Sequence, residues 1–369
     1  MKLAILSTHL SGTGHFLRSL SLARAAARAG HRALVINGGR PLPHIASGDV
    51  EMLQIPPLLV EGLDYKTLRT ADGAPAGAAY LARRQRAVAE AVSGFVPDLL
   101  VTETFPLGRR MLAAEFDAAL SATAAPAIAS LRDIPEPKPK RLDEAVARLR
   151  ARYAGLIVHG DAGVVPLTES WPLPEDLLQR TRYSGYLSSA RAEVAERGQT
   201  VLVAVGGGDL GRRLLEMAAE AAESSDRPWH LLVGGRDAAQ EAARLATAHP
   251  SERLRVEPAR PDYRALLAGA ACSVSLAGYN TVLDLAETQT PALLVPSETG
   301  GEQEQRIRAE RVAMFEGIRW CSEADLAPAR LGQMVETLAQ APRRPRLPLR
   351  IDDGSAAIAA LTDLAREPA

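Results

Sequence analysis

The chain has 369 residues, and at roughly 150 residues per domain that length favours two domains over one compact core. Apolar residues make up 47% and charged residues 24%, ordinary globular usage that excludes a disordered, collagenous or low-complexity chain. With 43 Lys plus Arg against 44 Asp plus Glu, the formal net charge is −1; no global basic field exists, and nucleic acid is not expected as a partner.

Leu3 to Ser7 (LAILS) reads as a buried parallel strand, followed by the polar, Gly-containing stretch Thr8 to Gly14. The N-terminal apolar run is too short for a secretion signal and no segment reaches 18 apolar residues, so neither export nor a membrane span is expected, while surface attachment stays open. A helix is predicted over Phe16 to Ala29, with Leu17, Leu20, Ala23 and Ala27 at spacings of three and four and Gly30 as the stop. A strand at Ala33 to Ile36 completes a βαβ unit, whose crossover helix makes its strands parallel. Pro56 to Pro75 is a long irregular stretch of the kind that forms binding loops or lids. The alternation continues with a helix at Ala78 to Ser93, strands at Asp98 to Thr102 and Ala127 to Ser130, a helix at Leu142 to Arg152 and a strand at Gly155 to Val158. The basic runs Arg83-Arg84-Gln85-Arg86 and Arg109-Arg110 read as solvated or anion-contacting. Phe105 and Leu107 beside the latter could let it touch lipid headgroups.

Around Ser184 to Gly198 the apolar periodicity lapses. Thr200 to Val205 (TVLVAV) then opens a fresh strand followed by Gly206, Gly207 and Gly208. A helix at Arg212 to Glu223 and strands at Trp229 to Val233, Arg253 to Val256, Cys272 to Leu276 and Ala292 to Val295 repeat the βαβ logic. Pro342 to Pro348 breaks the chain before a last amphipathic helix, Ser355 to Arg366. The expectation is an α/β protein of two doubly wound Rossmann-like domains, residues 1–185 and 200–345, with a C-terminal helical segment, 346–369, that could pack back on the first.

Two turns carry the chemistry. Ser11-Gly12-Thr13-Gly14-His15 opens a helix directly after a strand, where backbone N–H groups and the positive helix end converge on an anion. It departs from a dinucleotide fingerprint: the third Gly is Leu17, and Asn37 rather than an acid follows the second strand. In CSVSLAGYNTVLD, residues 272–284, a small-residue turn opens another helix; Ser275 and Thr281 can donate to a diphosphate and Asp284 can accept from ribose hydroxyls. An Asp one turn into a helix would also simply complement its dipole. Cys272 and Cys321 lie far apart with no metal-site spacing, which fits a reducing cytoplasm. No G-x-S-x-G, Walker A or H-E-x-x-H motif is present, so serine-hydrolase, P-loop and zinc-protease readings drop out.

The run SLAGYNTVLDLAETQTPALLVPSETGGEQEQRIRAERV, with its Gly-x-Asn-Thr turn, acid, Pro-Ala-Leu-Leu-Val-Pro strand and later Gln-x-x-Arg-Ala, resembles the donor-nucleotide motif of GT-B glycosyltransferases, above all the MurG-related group. SGTGH, PDLLVTETFPLGRR, SLRDIPE and VAVGGGDLG extend the resemblance collinearly over most of the chain. MurG itself has a first loop richer in Gly and usually reads Gln-x-x-Asn-Ala where Arg308-Ala309 stand here.

The resemblance implies two domains facing across a cleft, with the nucleotide-sugar donor, UDP-linked, in the C-terminal half and the acceptor in the N-terminal half. Gly206, Gly207, Ser275, Gly278, Asn280 and Thr281 would cradle the diphosphate, Asp284 would bind the ribose, Glu304 and Gln305 would face the sugar, and the base would lie near Pro258 to Pro261. Gly12, Thr13 and Gly14 would stand on the acceptor side, as would the Pro56 to Pro75 loop. His15 is the first choice as general base because an imidazole titrates near neutrality; Glu103 is its rival and Asp133 the third candidate. Asp-x-Asp, which recruits a divalent metal in the other common glycosyltransferase architecture, is absent. No metal or other cofactor is therefore expected, and transfer would invert the anomeric centre by direct displacement. The acceptor is not identified. The expected place is the cytoplasm, with attachment at the inner membrane face open. A nucleotide-sugar hydrolase or epimerase, or a non-catalytic nucleotide-sugar binding protein, are the alternatives.

Overall fold

The computed structural model describes residues 1–10, 12–60, 67–188, 195–206, 210–235 and 237–366. The chain divides into two compact units, Met1–Ser189 with Arg350–Ala369, and Ala190–Leu349.

The first unit contains β1 (Lys2–Ser7), α1 (Gly14–Arg28), β2 (Arg32–Asn37), β3 (Glu51–Gln54), α2 (Ala78–Phe95), β4 (Leu99–Glu103), α3 (Ala113–Ser121), β5 (Ala127–Arg132), α4 (Leu142–Arg152), β6 (Gly155–His159), α5 (Glu175–Gln179), β7 (Thr181–Tyr183) and β8 (Tyr186–Leu187). Seven strands form one parallel sheet in the order β3-β2-β1-β4-β5-β6-β7. Its inner strands read as largely apolar runs because helices cover both faces. Leu3, Ile5, Val35, Val101, Ile128 and Ile157 pack on one side with Phe16, Leu20 and Ala23 of α1. Ala4, Leu6, Ile36, Leu100, Leu131 and Val158 pack on the other with Val88 and Val92 of α2 and Phe116 of α3. Burying one such Leu or Phe contributes about 1.5–3 kcal/mol.

The second unit contains β9 (Val201–Ala204), α6 (Arg212–Glu223), β10 (Trp229–Val233), α7 (Ala238–Ala248), β11 (Leu254–Pro258), α8 (Tyr263–Gly269), β12 (Cys272–Ser275), α9 (Tyr279–Glu287), β13 (Ala292–Leu294), α10 (Glu304–Val312), β14 (Ile318–Trp320) and α11 (Pro328–Gln340). Its parallel sheet runs β11-β10-β9-β12-β13-β14. Buried Arg344 donates to the carbonyls of Thr290 (2.9 Å) and Leu285, so a cation meets the buried C-terminal end of α9. The chain then returns to the first unit: β15 (Ile351–Asp352) pairs with β8, and α12 (Ser355–Arg366) packs Ile358, Leu361 and Leu364 into the core shared with α1. The Asp352 carboxylate starts α12 by accepting from the amides of Ala356 (3.0 Å) and Ala357 (3.1 Å).

In each sheet the order reverses at a central strand, β1 between β2 and β4, and β9 between β10 and β12. Ligands of open α/β sheets bind beyond the carboxyl ends of strands at such a reversal. These ends carry the two turns singled out from the sequence.

The structure adds β3, α3, α5, β7, β8, β14, α11 and β15 to the predicted elements. All four residues of β3 are exposed, so this edge strand has no apolar run to betray it. Part of the Pro56 to Pro75 stretch is locally ordered through bridges Leu59–Arg69 and Arg69–Pro75; residues 61–66 lie outside the described residues. Two expectations are corrected. Phe105 and Leu107 are buried in the core with Phe116 and offer nothing to a lipid surface. Arg84 is not solvated but 0% exposed, forming a two-pronged pair with Glu115 (2.8 and 2.9 Å) and donating to the carbonyl of Gly38 at 2.9 Å.

Candidate active site

In the first unit, Thr13 precedes α1 without a side-chain cap, so the helix presents the amides of its first turn. Gly12 is exposed and Gly14 begins the helix; Ser11 lies outside the described residues. His15 follows in that first turn. Glu103 is the last residue of β4, and because β4 lies beside β1, its side chain meets the start of α1.

His15 and Glu103, rivals as general base in the sequence, are partners in the structure. His15 Nδ1 lies 3.0 Å from both Oε1 and Oε2 of Glu103. Arg18, one turn further along α1, donates through Nη2 to Oε1, and the Thr104 hydroxyl donates to Oε2 at 2.7 Å. A carboxylate only accepts, so the Nδ1 of His15 that faces it carries the proton, leaving Nε2 as the basic nitrogen. Glu103 is 1% exposed and His15 keeps 22%. Burial alone would raise Glu103, but His15, Arg18 and Arg109 outweigh it and hold the carboxyl well below the usual carboxylate range. Burial lowers His15, with Arg109 and Arg18 adding to it and Glu103 opposing.

The surrounding loop is built for this contact. Thr104 has φ +67°, a left-handed conformation unfavourable for a β-branched residue. A Cβ on Gly108 would lie 2.5 Å from Thr104 Cγ2, so the glycine makes room for that conformation. Behind Glu103, buried His159 lies between two hydroxyls, Ser130 at 3.0 Å from Nε2 and Ser184 at 2.9 Å from Nδ1. The Ser184 hydroxyl donates to the Gly185 carbonyl (2.9 Å). It therefore accepts from Nδ1–H, and Ser130 donates to Nε2. Asp133 is fully buried and accepts from the amide of Ile134 at 2.9 Å.

In the second unit, Gly206 adopts φ +79° after β9, and Gly207 lies outside the described residues. Gly278 precedes α9 without a side-chain cap. Asn280 in the first turn is exposed and Thr281 half-buried. Ser275, ending β12, is buried with its hydroxyl unpartnered among the described residues. Asp284 is 9% exposed, and Arg264 of α8 donates to its Oδ1 at 2.6 Å. Burial pushes this carboxyl up against the pull of Arg264. Pro258 ends β11, and Arg260 beyond it bonds Glu257 (3.0 Å) and Asp262 (2.7 Å).

α10 grips the turn that opens α9. The Gln305 side-chain oxygen accepts from the amides of Ala277 and Ser297, both at 3.1 Å, which leaves its NH2 group as the end offered elsewhere. Arg308, 0% exposed, donates to the Ala277 carbonyl at 2.8 Å and to Glu304 at 2.7 Å. Both polar groups of Ala277 are thus held from one helix. Glu304 is buried in this pair, so its Oε1 is already engaged.

Arg18, Thr104, Arg264 and the grip of Arg308 on Ala277 are the contributions the sequence reading did not include. The three-residue spacing of His15 and Arg18, which puts both on one helix face, was a usable signal for the first.

Residues 200–353 match the family described as Glycosyltransferase family 28 C-terminal domain. The chain is 30% identical over 151 residues to the UDP-N-acetylglucosamine–N-acetylmuramyl-(pentapeptide) pyrophosphoryl-undecaprenol N-acetylglucosamine transferase of Rhodopseudomonas palustris, covering 40% of each chain. It is 30% identical over 202 residues to the protein of the same name from Nitrosococcus oceani, covering 52% of this chain and 54% of that one. The matched segments thus span about half of those relatives' length or less. The crystal structure of Acinetobacter baumannii MurG superimposes with a TM-score of 0.61 at 16% identity, covering 99% of this chain and 93% of that one. The second unit is therefore similar to the glycosyltransferase family 28 C-terminal domain, and the chain has the fold seen in the MurG crystal structure.

Proposed function

We propose that the protein transfers a sugar from a nucleoside-diphosphate sugar, UDP-linked, to an acceptor hydroxyl, with inversion and without a metal. The observation that carries this reading is the family 28 match, which falls on the unit holding Ser275, the α9 turn and Asp284. The relatives' printed name, a UDP-N-acetylglucosamine-dependent transferase, supports the nucleotide.

In this reading the first turn of α9 and the Ser275 hydroxyl meet the charge of the leaving diphosphate. Asp284 keeps Oδ2 for a ribose hydroxyl while Arg264 holds Oδ1. The acceptor hydroxyl gives its proton to Nε2 of His15 as its oxygen forms a bond to the anomeric carbon. The bond from that carbon to the diphosphate oxygen breaks, and the electron pair leaves with the nucleotide. Glu103, ionised and bonded to Nδ1, steadies the imidazolium that results.

The test is nucleotide release from a panel of nucleotide-sugars with and without fractions of cell extract, the products identified by mass spectrometry. A transferase stays slow until an acceptor fraction is added. Full-rate release of free sugar in buffer would make the protein a hydrolase, and tight binding with no turnover in any fraction would make it a binding protein.

A further inference from the structure

We propose that Arg18 is a positioning residue for proton transfer: it supplies the permanent cation that Glu103 requires, so that His15 stays neutral with its proton on Nδ1. The inference rests on the reading of His15 as the base. Glu103 is almost wholly buried, and a buried carboxylate needs a compensating positive charge. With His15 as its sole partner, the favourable state would be an imidazolium–carboxylate pair, in which Nε2 already carries the proton it is meant to accept. A guanidinium does not deprotonate in proteins. Arg18 Nη2 binds Oε1 of Glu103 and also lies 3.1 Å from His15 Nδ1, where it opposes a charge on the ring. Thr104 fills Oε2, so His15 Nδ1–H completes the set.

The other groups bearing on the ring act in known directions. Arg109, from the loop after β4, also disfavours the imidazolium, and Glu103 favours it. His159 on β6 lies within the fields of Arg18 and Glu103 and stays neutral. Arg18 is thus the cation on His15's own helix that touches both members of the pair.

The experiment is a ¹⁵N titration of histidine-labelled protein without substrate, His15 being assigned among the seven histidines by comparison with His15→Gln. In Arg18→Gln the His15 midpoint should rise by about one pH unit or more. The acid limb of kcat/KM should move up with it. Arg18→Lys, which keeps the charge, should bring both back towards wild type. An unmoved midpoint in Arg18→Gln overturns the proposal, and so does a Lys variant that behaves as Gln does. If Arg18→Gln fails to fold, Thr104→Val serves instead. It removes the third donor, so it should leave the midpoint within about half a unit while Arg18 remains; a larger rise would give Thr104 the role assigned to Arg18. A shifted midpoint together with a fully active His15→Ala would leave the assignment of Arg18 standing and remove His15 as the base.

Discussion

With Nδ1 of His15 committed to Glu103, any proton the ring accepts must go to Nε2, and removing either partner should therefore damage chemistry more than binding. His15→Ala is expected to lower kcat by about 10²- to 10⁴-fold. Nucleotide affinity, measured by calorimetry, should stay within about twofold, because the donor is proposed to bind the second unit. Glu103→Gln keeps the shape but presents an amide that can donate to Nδ1 and favour the wrong tautomer, so a loss of about 10²-fold or more is expected. The base is active only when neutral, so kcat/KM falls as pH drops through the His15 midpoint. Burial lowers that midpoint, and activity should therefore persist below pH 6.5, where an ordinary imidazole is half protonated. An acid limb centred at or above 6.5 would contradict this account of the ring's surroundings.

At the scale of elements, α10 holds the turn before α9 through Gln305 and Arg308. Arg308→Met deprives Glu304 of its buried partner and the Ala277 carbonyl of its donor; a loss of about 3–5 kcal/mol is expected in urea melts. Replacing both members of the pair, as Glu304→Leu with Arg308→Met, should cost less than the single change. The Michaelis constant for the donor should nevertheless be raised in both, because the Ala277 carbonyl lacks its donor and Gln305 alone holds the turn. Equal stability of the single and double variants would show that the pair is not what holds Glu304. Much of this architecture was legible: runs such as LAILS and TVLVAV announce buried parallel strands, and Gly-rich turns mark their carboxyl ends. Arg84 was not, because RRQR reads as a charged surface, although Arg84, Val88 and Val92 share one helical stripe. The His15–Glu103 contact was equally hidden. The two lie 88 residues apart, and only the adjacency of β1 and β4 brings them together.

Across the whole molecule, the two sheets share one strand order about their central strands, which places one Gly-containing turn at an uncapped helix start in each unit. If the second turn meets the diphosphate with amides and hydroxyls alone, excess EDTA should leave turnover unchanged; complete loss restored by manganese would refute that. UDP at 100 times its dissociation constant should stabilise the protein by about 2.7 kcal/mol, seen as a raised melting temperature, while NAD should not.

His159 is wholly buried and its midpoint is lowered to about 3, by burial first and Arg18 second, against Glu103. His9, also buried, is lowered to about 4 by burial and then Arg109. For a histidine held neutral in the fold, the unfolded chain binds the proton first. Stability is therefore full above the unfolded value near 6.5, falls as pH drops below it, and stops falling only near the folded midpoint. Each such residue should cost about 1.4 kcal/mol per pH unit across that window. Urea melts between pH 7 and pH 4.5 should show the decline. His159→Gln, whose amide can replace the hydrogen bonds to Ser130 and Ser184 without titrating, should make the slope shallower whatever it does to stability at pH 7. An identical slope in wild type and variant would mean that His159 is not held neutral in the folded protein.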